Sequence, residues 1–231
     1  MPTTYIIYCW FSPTYASPLG FSIWFLFAKL RAKPRNKPYT NTLYIIKSQL
    51  LMELTNINLQ FPIGEMPSIK EPTTDQLNEW IQNIEQFPSL LKNITKGLTP
   101  EQLKWKYRPN GWMIKQVVHH CADSHMNSYI RFKLALTEET PKIRPYFEDK
   151  WAELFDSLDE NIDDSIELIN VLHRKWVKLL KGLTKEDLKK EFAHPEHGTI
   201  FNLAENIGIY SWHSLHHLEH IKLAIKAKGC N

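Results

Sequence analysis

The chain has 231 residues and a mass of 27.2 kDa, with 43% hydrophobic and 23% charged residues, the proportions of a folded domain with a buried core. Eight glycines and 14 prolines exclude collagen-like and low-complexity chains, and the three cysteines (Cys9, Cys121, Cys230) at unrelated spacings give neither a disulfide framework nor a Cys-rich zinc module, so a reducing, cytoplasmic setting is expected. The formal charge of +3 is unevenly placed: residues 1–51 hold six basic and no acidic residues, whereas the remaining 180 hold 22 basic against 25 acidic and so offer no broad positive surface for nucleic acid.

In chain order, the leading segment comes first. Residues from Pro2 to Ala28 carry no charge, and a basic cluster follows from Lys29 to Lys37. Such a segment could anchor in a membrane, but Pro13 and Pro18 interrupt it and its most apolar run, Phe21 to Ala28, is too short to span. No basic residue precedes the apolar part, as a secretory signal would require. The expectation is that 1–51 is an extension, a mis-assigned start or a membrane-associated or disordered tail. On that reading the working domain is 52–231, opening on "MELTNINLQFPIGE".

Helical periodicity then predicts long helices over 74–95, with a bend at Pro88, and over 112–137, 162–181 and 201–227, with a short helical piece in 146–157. Between them lies a duplication: "KGLTPEQLKWKY" at 96–107 returns as "KGLTKEDLKKEF" at 181–192. In each copy a glycine (Gly97, Gly182) is placed for a left-handed helix end, and a threonine (Thr99, Thr184) caps a short helix with Glu101 or Glu186 in its first turn. "HGTIF" at 197–201 is the one modest strand candidate. The predicted class is all-α, a four-helix bundle in which sites are built from facing helices.

Seven of the ten histidines fall in two clusters, "HHCADSH" (His119, His120, His125) and "HSLHHLEH" (His213, His216, His217, His220). Residues four apart stack on one helix face, so His213 with His217 and His216 with His220 could each chelate an ion. At about 100° per residue, the apolar stripe Leu203, Ile207, Tyr210, Leu218, Ile221 and Ile225 favours His213 with His217 as the inward pair. His216 and His220 then lie towards the polar side, so His220→Ala is expected to weaken metal binding little. On the other helix His125 falls within the apolar stripe and reads as a core histidine. His119 and His120 flank that stripe, and the wheel does not choose between them. Three neutral imidazoles around a divalent ion, with one position left for water, describe a catalytic rather than a closed structural zinc site. Such an ion acidifies bound water or thiol, or polarises a carbonyl; zinc is expected, with nickel as the alternative, but iron or manganese could occupy the same ligands and imidazole alone does not discriminate among them.

Three stretches carry a resemblance: "FPIGE" (61–65), "GWMIKQVVHHCADSHMNSYIRFKLALTEETPKIRPY" (111–146) and "YSWHSLHHLEHI" (210–221). They are similar to the DinB-like superfamily of metal-binding four-helix bundles, most closely its YfiT branch, over about 56–229. The resemblance implies a metal triad of His120, His213 and His217, of which His120 rests on the resemblance alone. It implies homodimerisation, and an activity described either as metal-dependent hydrolysis or as bacillithiol S-transfer. Asp123, Asn127 and Arg131 lie near the His120 face. Asp123, Glu219 and His216 are candidate bases, which the sequence does not rank, and Arg131 is a candidate anchor for an anionic group of a small-molecule substrate. The expected function is a metal-dependent hydrolase, the alternatives being a thiol-dependent S-transferase and a non-catalytic, stress-associated metal-binding bundle. The absence of an HExxH pattern leaves a zincin-type protease unsupported.

Overall fold

The computed structural model describes residues 59–66, 69, 71–196 and 198–229, so the leading segment with its possible anchor, and with it Cys9 and Cys230, lies outside the described residues. Residues Met52–Asn231 make one compact unit. Among the described residues, after the helical residues 59–60, its helices are α1 (Thr74–Thr95), α2 (Pro100–Leu103), α3 (Ile114–Thr137), α4 (Glu148–Trp151), α5 (Asp163–Lys181), α6 (Lys185–Leu188) and α7 (Leu203–Lys226), with strands β1 (Glu191–His194) and β2 (Thr199–Asn202) before α7. No helix among the described residues is long and apolar enough to cross a membrane.

The chain starts its helices with side chains that satisfy the orphan amides of the first turn. Thr73 accepts from the Gln76 amide while the Gln76 side chain returns to the Thr73 amide, and Asn202 and Glu205 make the same reciprocal pair at the start of α7. The duplicated GLT segments behave alike at their threonines: Thr99 pairs with Gln102 and Thr184 with Asp187. Their glycines diverge. Gly97 is left-handed at φ 77°, as expected, whereas Gly182 stays right-handed at φ −96°, its amide reaching back to the carbonyls of Leu179 and Leu180. Tightening of the last turn of α5 removes the need for a left-handed residue there.

The four long helices form the bundle, α1 and α3 each packing against both α5 and α7. Apolar residues three and four apart line the seams; on α5 the stripe runs Ile166, Ile169, Trp176 and Leu180, with His173 set inside it. Around α3, Phe87, Leu91, Val117, Val118, Ile169, Leu218 and Ile221 close the core. Each such side chain contributes roughly 1.5–3 kcal/mol by leaving water. Pro88 lies buried inside α1, which continues through it. Having no N–H, Pro88 cannot donate to the Ile84 carbonyl four residues back, and that oxygen is left for another donor.

Of the single strand candidate at 197–201, residues 199–201 lie in β2, which pairs β1 as an antiparallel hairpin in the register Glu191↔Asn202 to His194↔Thr199. Gly198 at φ 59° helps turn the chain between them. Phe192 on β1 is fully buried, and residues Pro141 and Ile143 bond the Ala193 backbone, which fixes the exit of α3 against the hairpin.

Candidate metal centre

His120 stands on α3, and His213 and His217 stand one turn apart on α7. The packing of the two helices brings one nitrogen from each ring to within 4.8 Å of the others. His120 Nε2 lies 3.2 Å from His213 Nε2. Two nitrogens at tetrahedral angles about a zinc ion, each at ~2.0–2.1 Å, would be about 3.3 Å apart, so the spacing suits a shared cation. All three residues are nearly buried, at 8%, 6% and 4% exposure. Burial holds their imidazoles neutral, with the positive charge of neighbouring histidines acting in the same direction: His120 is lowered to about 3, and His213 and His217 fall well below the usual histidine range. Neutral imidazole is the form that binds a metal, and the donor set fits a divalent ion. Trp112 covers the site, its ring 4.6 Å from His120 and nearly parallel to His217 at 6.5 Å.

The other clustered histidines are buried too, which corrects the expectation of a polar face. His216 and His220 are 1% and 3% exposed because residues near 60 and 107 cover that side of α7. His220 stacks on Tyr107 at 3.8 Å and bonds the Gln60 carbonyl, while His216 is sandwiched near Phe61 and Trp212. His119 points away from the site and is held by Ser165 and the Asp159 carbonyl, joining α3 to the start of α5. His125 is fully buried and hydrogen-bonded, as a core histidine should be, with its two partners being His173 and His213.

Residues 83–221 match the DinB superfamily profile. The chain belongs to the DinB superfamily. A protein of Oceanobacillus iheyensis, provisionally named a metal-dependent hydrolase, is 50% identical over 172 residues, which cover 74% of this chain and 99% of the relative. YfiT of Bacillus subtilis, with the same provisional name, is 48% identical over 168 residues, 73% of this chain and 94% of its own. The solved structure of Bacillus subtilis YfiT, described as having an unusual four-helix bundle topology, superposes with a TM-score of 0.72 at 46% identity over 75% of this chain and 99% of that one. The four-helix bundle is thus shared by this DinB-superfamily chain and Bacillus subtilis YfiT.

Beside the rings, this DinB-superfamily chain gathers hydroxyls that its sequence did not single out. Ser124 Oγ sits 3.4 Å from His213 Nε2 and 3.2 Å from the Tyr210 hydroxyl, which donates to the Ser124 carbonyl. Tyr210 packs in the bundle as expected, so it serves core and site together. Tyr146 reaches Ser124 from the loop after α3; burial and the nearby Tyr210 push its phenol up, and the Arg131 guanidinium pulls it back. Arg131 is 6% exposed and lies near Tyr146 and Glu148. Asp123 is half-buried, and desolvation followed by the negative charge of Asp156 pushes its carboxyl up to about 6. Asn127 spends its amide on the Asp123 backbone carbonyl at 2.8 Å. His173, also missed, had one visible signal: a histidine inside an otherwise apolar helical stripe.

Proposed function

We propose that the chain is a metal-dependent hydrolase of a small-molecule substrate, with His120, His213 and His217 holding one divalent cation, zinc in the first instance and nickel in the second. The observation that carries this reading is the convergence of three neutral ring nitrogens from two helices within 4.8 Å. A bound cation with three protein donors supplies Lewis acidity and lowers the pKa of a water that it binds. The chain's own residues supply the rest. Asp123, one turn along α3 from His120, is mostly ionised at neutral pH yet more basic than an ordinary aspartate, because its pKa is about 6. That suits a proton acceptor. Arg131, on the same helix and nearly buried, offers a fixed guanidinium to an anionic group of the substrate. Trp112 keeps bulk water from the rings of His120 and His217, and Tyr107 covers the neighbouring His220. The unit doing this is 52–231, as a cytoplasmic homodimer.

The test is to load the protein with Zn2+ and assay chromogenic esters and amides, with and without a small thiol and an electrophile. Hydrolysis that needs the ion and no thiol supports the proposal. Turnover that needs both ion and thiol reassigns the same centre to S-transfer, and stoichiometric zinc with no turnover leaves a metal-binding bundle without catalysis.

A further inference from the structure

Two backbone carbonyls lie at the ends of chains of imidazoles that lead to the candidate ligands. In one chain, His173 Nδ1 is 2.6 Å from the Ile84 carbonyl oxygen, His125 Nδ1 is 2.7 Å from His173 Nε2, and His125 Nε2 is 3.0 Å from His213 Nδ1. In the other, His220 Nε2 is 3.1 Å from the Gln60 carbonyl oxygen and His220 Nδ1 is 3.4 Å from His217 Nδ1. We infer that the carbonyls of Ile84 and Gln60 set, through these relays, which nitrogen of His213 and of His217 carries the proton, and that His125, His173 and His220 are positioning residues for the metal centre. The inference rests on the metal-site reading for its purpose, although the tautomers themselves do not depend on it.

The direction of each chain follows from donor counting. A carbonyl oxygen only accepts, so the ring nitrogen facing it must carry a hydrogen. A neutral imidazole has one N–H, so its second nitrogen must accept. His173 therefore donates from Nδ1 to Ile84 and accepts at Nε2. His125 donates to it from Nδ1 and accepts at Nε2, and His213 donates from Nδ1. What remains is a lone pair on His213 Nε2, the atom that faces His120. By the same count His220 donates from Nε2 to Gln60, accepts at Nδ1, and takes the Nδ1 proton of His217, whose Nε2 is left bare. Reversing either chain would require a carbonyl to donate.

Burial supports the premise of neutrality: His125, His173 and His220 are 0%, 1% and 3% exposed, and a charged imidazole there would lose its hydration. Sequence explains why Ile84 is available: Pro88 withholds the helical N–H that its carbonyl would otherwise receive. His120 differs from the other two ligands. Its Nε2 faces a lone pair at 3.2 Å and so carries its proton there in the ion-free protein.

The test uses full-length protein, 15N-labelled at histidine and stripped of metal, with long-range 1H–15N correlation spectra to separate the two tautomers of each ring. Protons on Nδ1 of His125, His173, His213 and His217 and on Nε2 of His220 are expected. An Nε2 proton on His213 or His217 overturns the inference, even if the protein binds stoichiometric Zn2+. The expected tautomers in a protein that takes up no Zn2+ would sustain the inference and remove the metal reading. His125→Leu should mix the tautomers of His213 and weaken Zn2+ binding, read by chelator competition, by about 10–100-fold, with His125→Gln recovering most of the loss because its amide both donates and accepts. Should His125→Leu fail to fold, His220→Leu against His220→Gln asks the same of His217. Unchanged tautomers and affinity in the Leu variants overturn the proposal.

Discussion

Pro88 and His173 are complementary: the proline withholds an N–H from the Ile84 carbonyl, and the imidazole supplies one, its Nδ1 2.6 Å from that oxygen. A proline inside a helix costs about 3 kcal/mol relative to alanine, so Pro88→Ala would ordinarily stabilise α1 by that much. Here the restored N–H must share its acceptor with His173. The expected gain in urea denaturation is well under the full amount, accompanied by a longer, weaker His173 bond. A full gain with an unchanged His173 tautomer would show that the proline has no part in holding the relay.

The buried histidines give stability a defined dependence on pH. Burial sets His173 and His216 at about 4 and His120 at about 3, against 6.5 for a free imidazole. Between those values the unfolded chain binds protons that the folded chain refuses, so stability falls as pH drops from about 6.5 towards 4. Asp123 acts oppositely: its folded value of about 6 lies above the free value of 3.8, so its ionisation costs stability as pH rises through that window. Glu148 and Asp149, which burial also pushes up, act with Asp123, but the seven buried histidines whose values fall outweigh these three carboxylates. Metal-free protein should melt at progressively lower temperature from pH 7 to pH 5, with net proton uptake on unfolding; a melting temperature that rises on acidification contradicts this.

Phe87 is fully buried, its ring 5.1 Å from His125 and 5.6 Å from His173. Phe87→Ala should cost about 3–5 kcal/mol by lost burial and a cavity, whereas Phe87→Leu should cost much less. Because the cavity would open beside the relay, the Ala variant should also lose Zn2+ affinity. Denaturant titration and chelator competition on the same preparations check both, and a loss under 1 kcal/mol would mean that the site collapses around the gap.

Expression from Met52 should leave melting temperature and metal content unchanged, because Met52–Asn231 is a compact unit that holds all three candidate ligands. Saturating Zn2+ at a hundred times its Kd should raise the unfolding free energy of the shortened protein by about 2.7 kcal/mol. A shortened protein that fails to fold or to bind zinc would assign residues 1–51 to the working domain.

Much of this was legible in the sequence because it repeats at helical spacing. The four long helices, the Thr99 and Thr184 caps and the inward pairing of His213 with His217 all follow from local periodicity. Other features depend on contacts between distant segments. The wheel placed His216 and His220 towards the polar side, and it is the packing of Gln60, Phe61 and Tyr107 against α7 that buries them. His173 was overlooked because a single histidine in an apolar stripe has no periodic partner; it acquires meaning from Ile84, 89 positions away. β1 was missed because "EFAH" is too short and too polar to signal a strand without its mate.

X-ray absorption at the metal edge of protein carrying stoichiometric Zn2+ reads out whether His120, His213 and His217 share one ion. Three imidazole nitrogens and one further light atom are expected in the first coordination sphere, with metal binding abolished in each of His120→Ala, His213→Ala and His217→Ala. A sphere containing sulfur, or one that survives all three substitutions unchanged, would place the ion elsewhere and contradict the account.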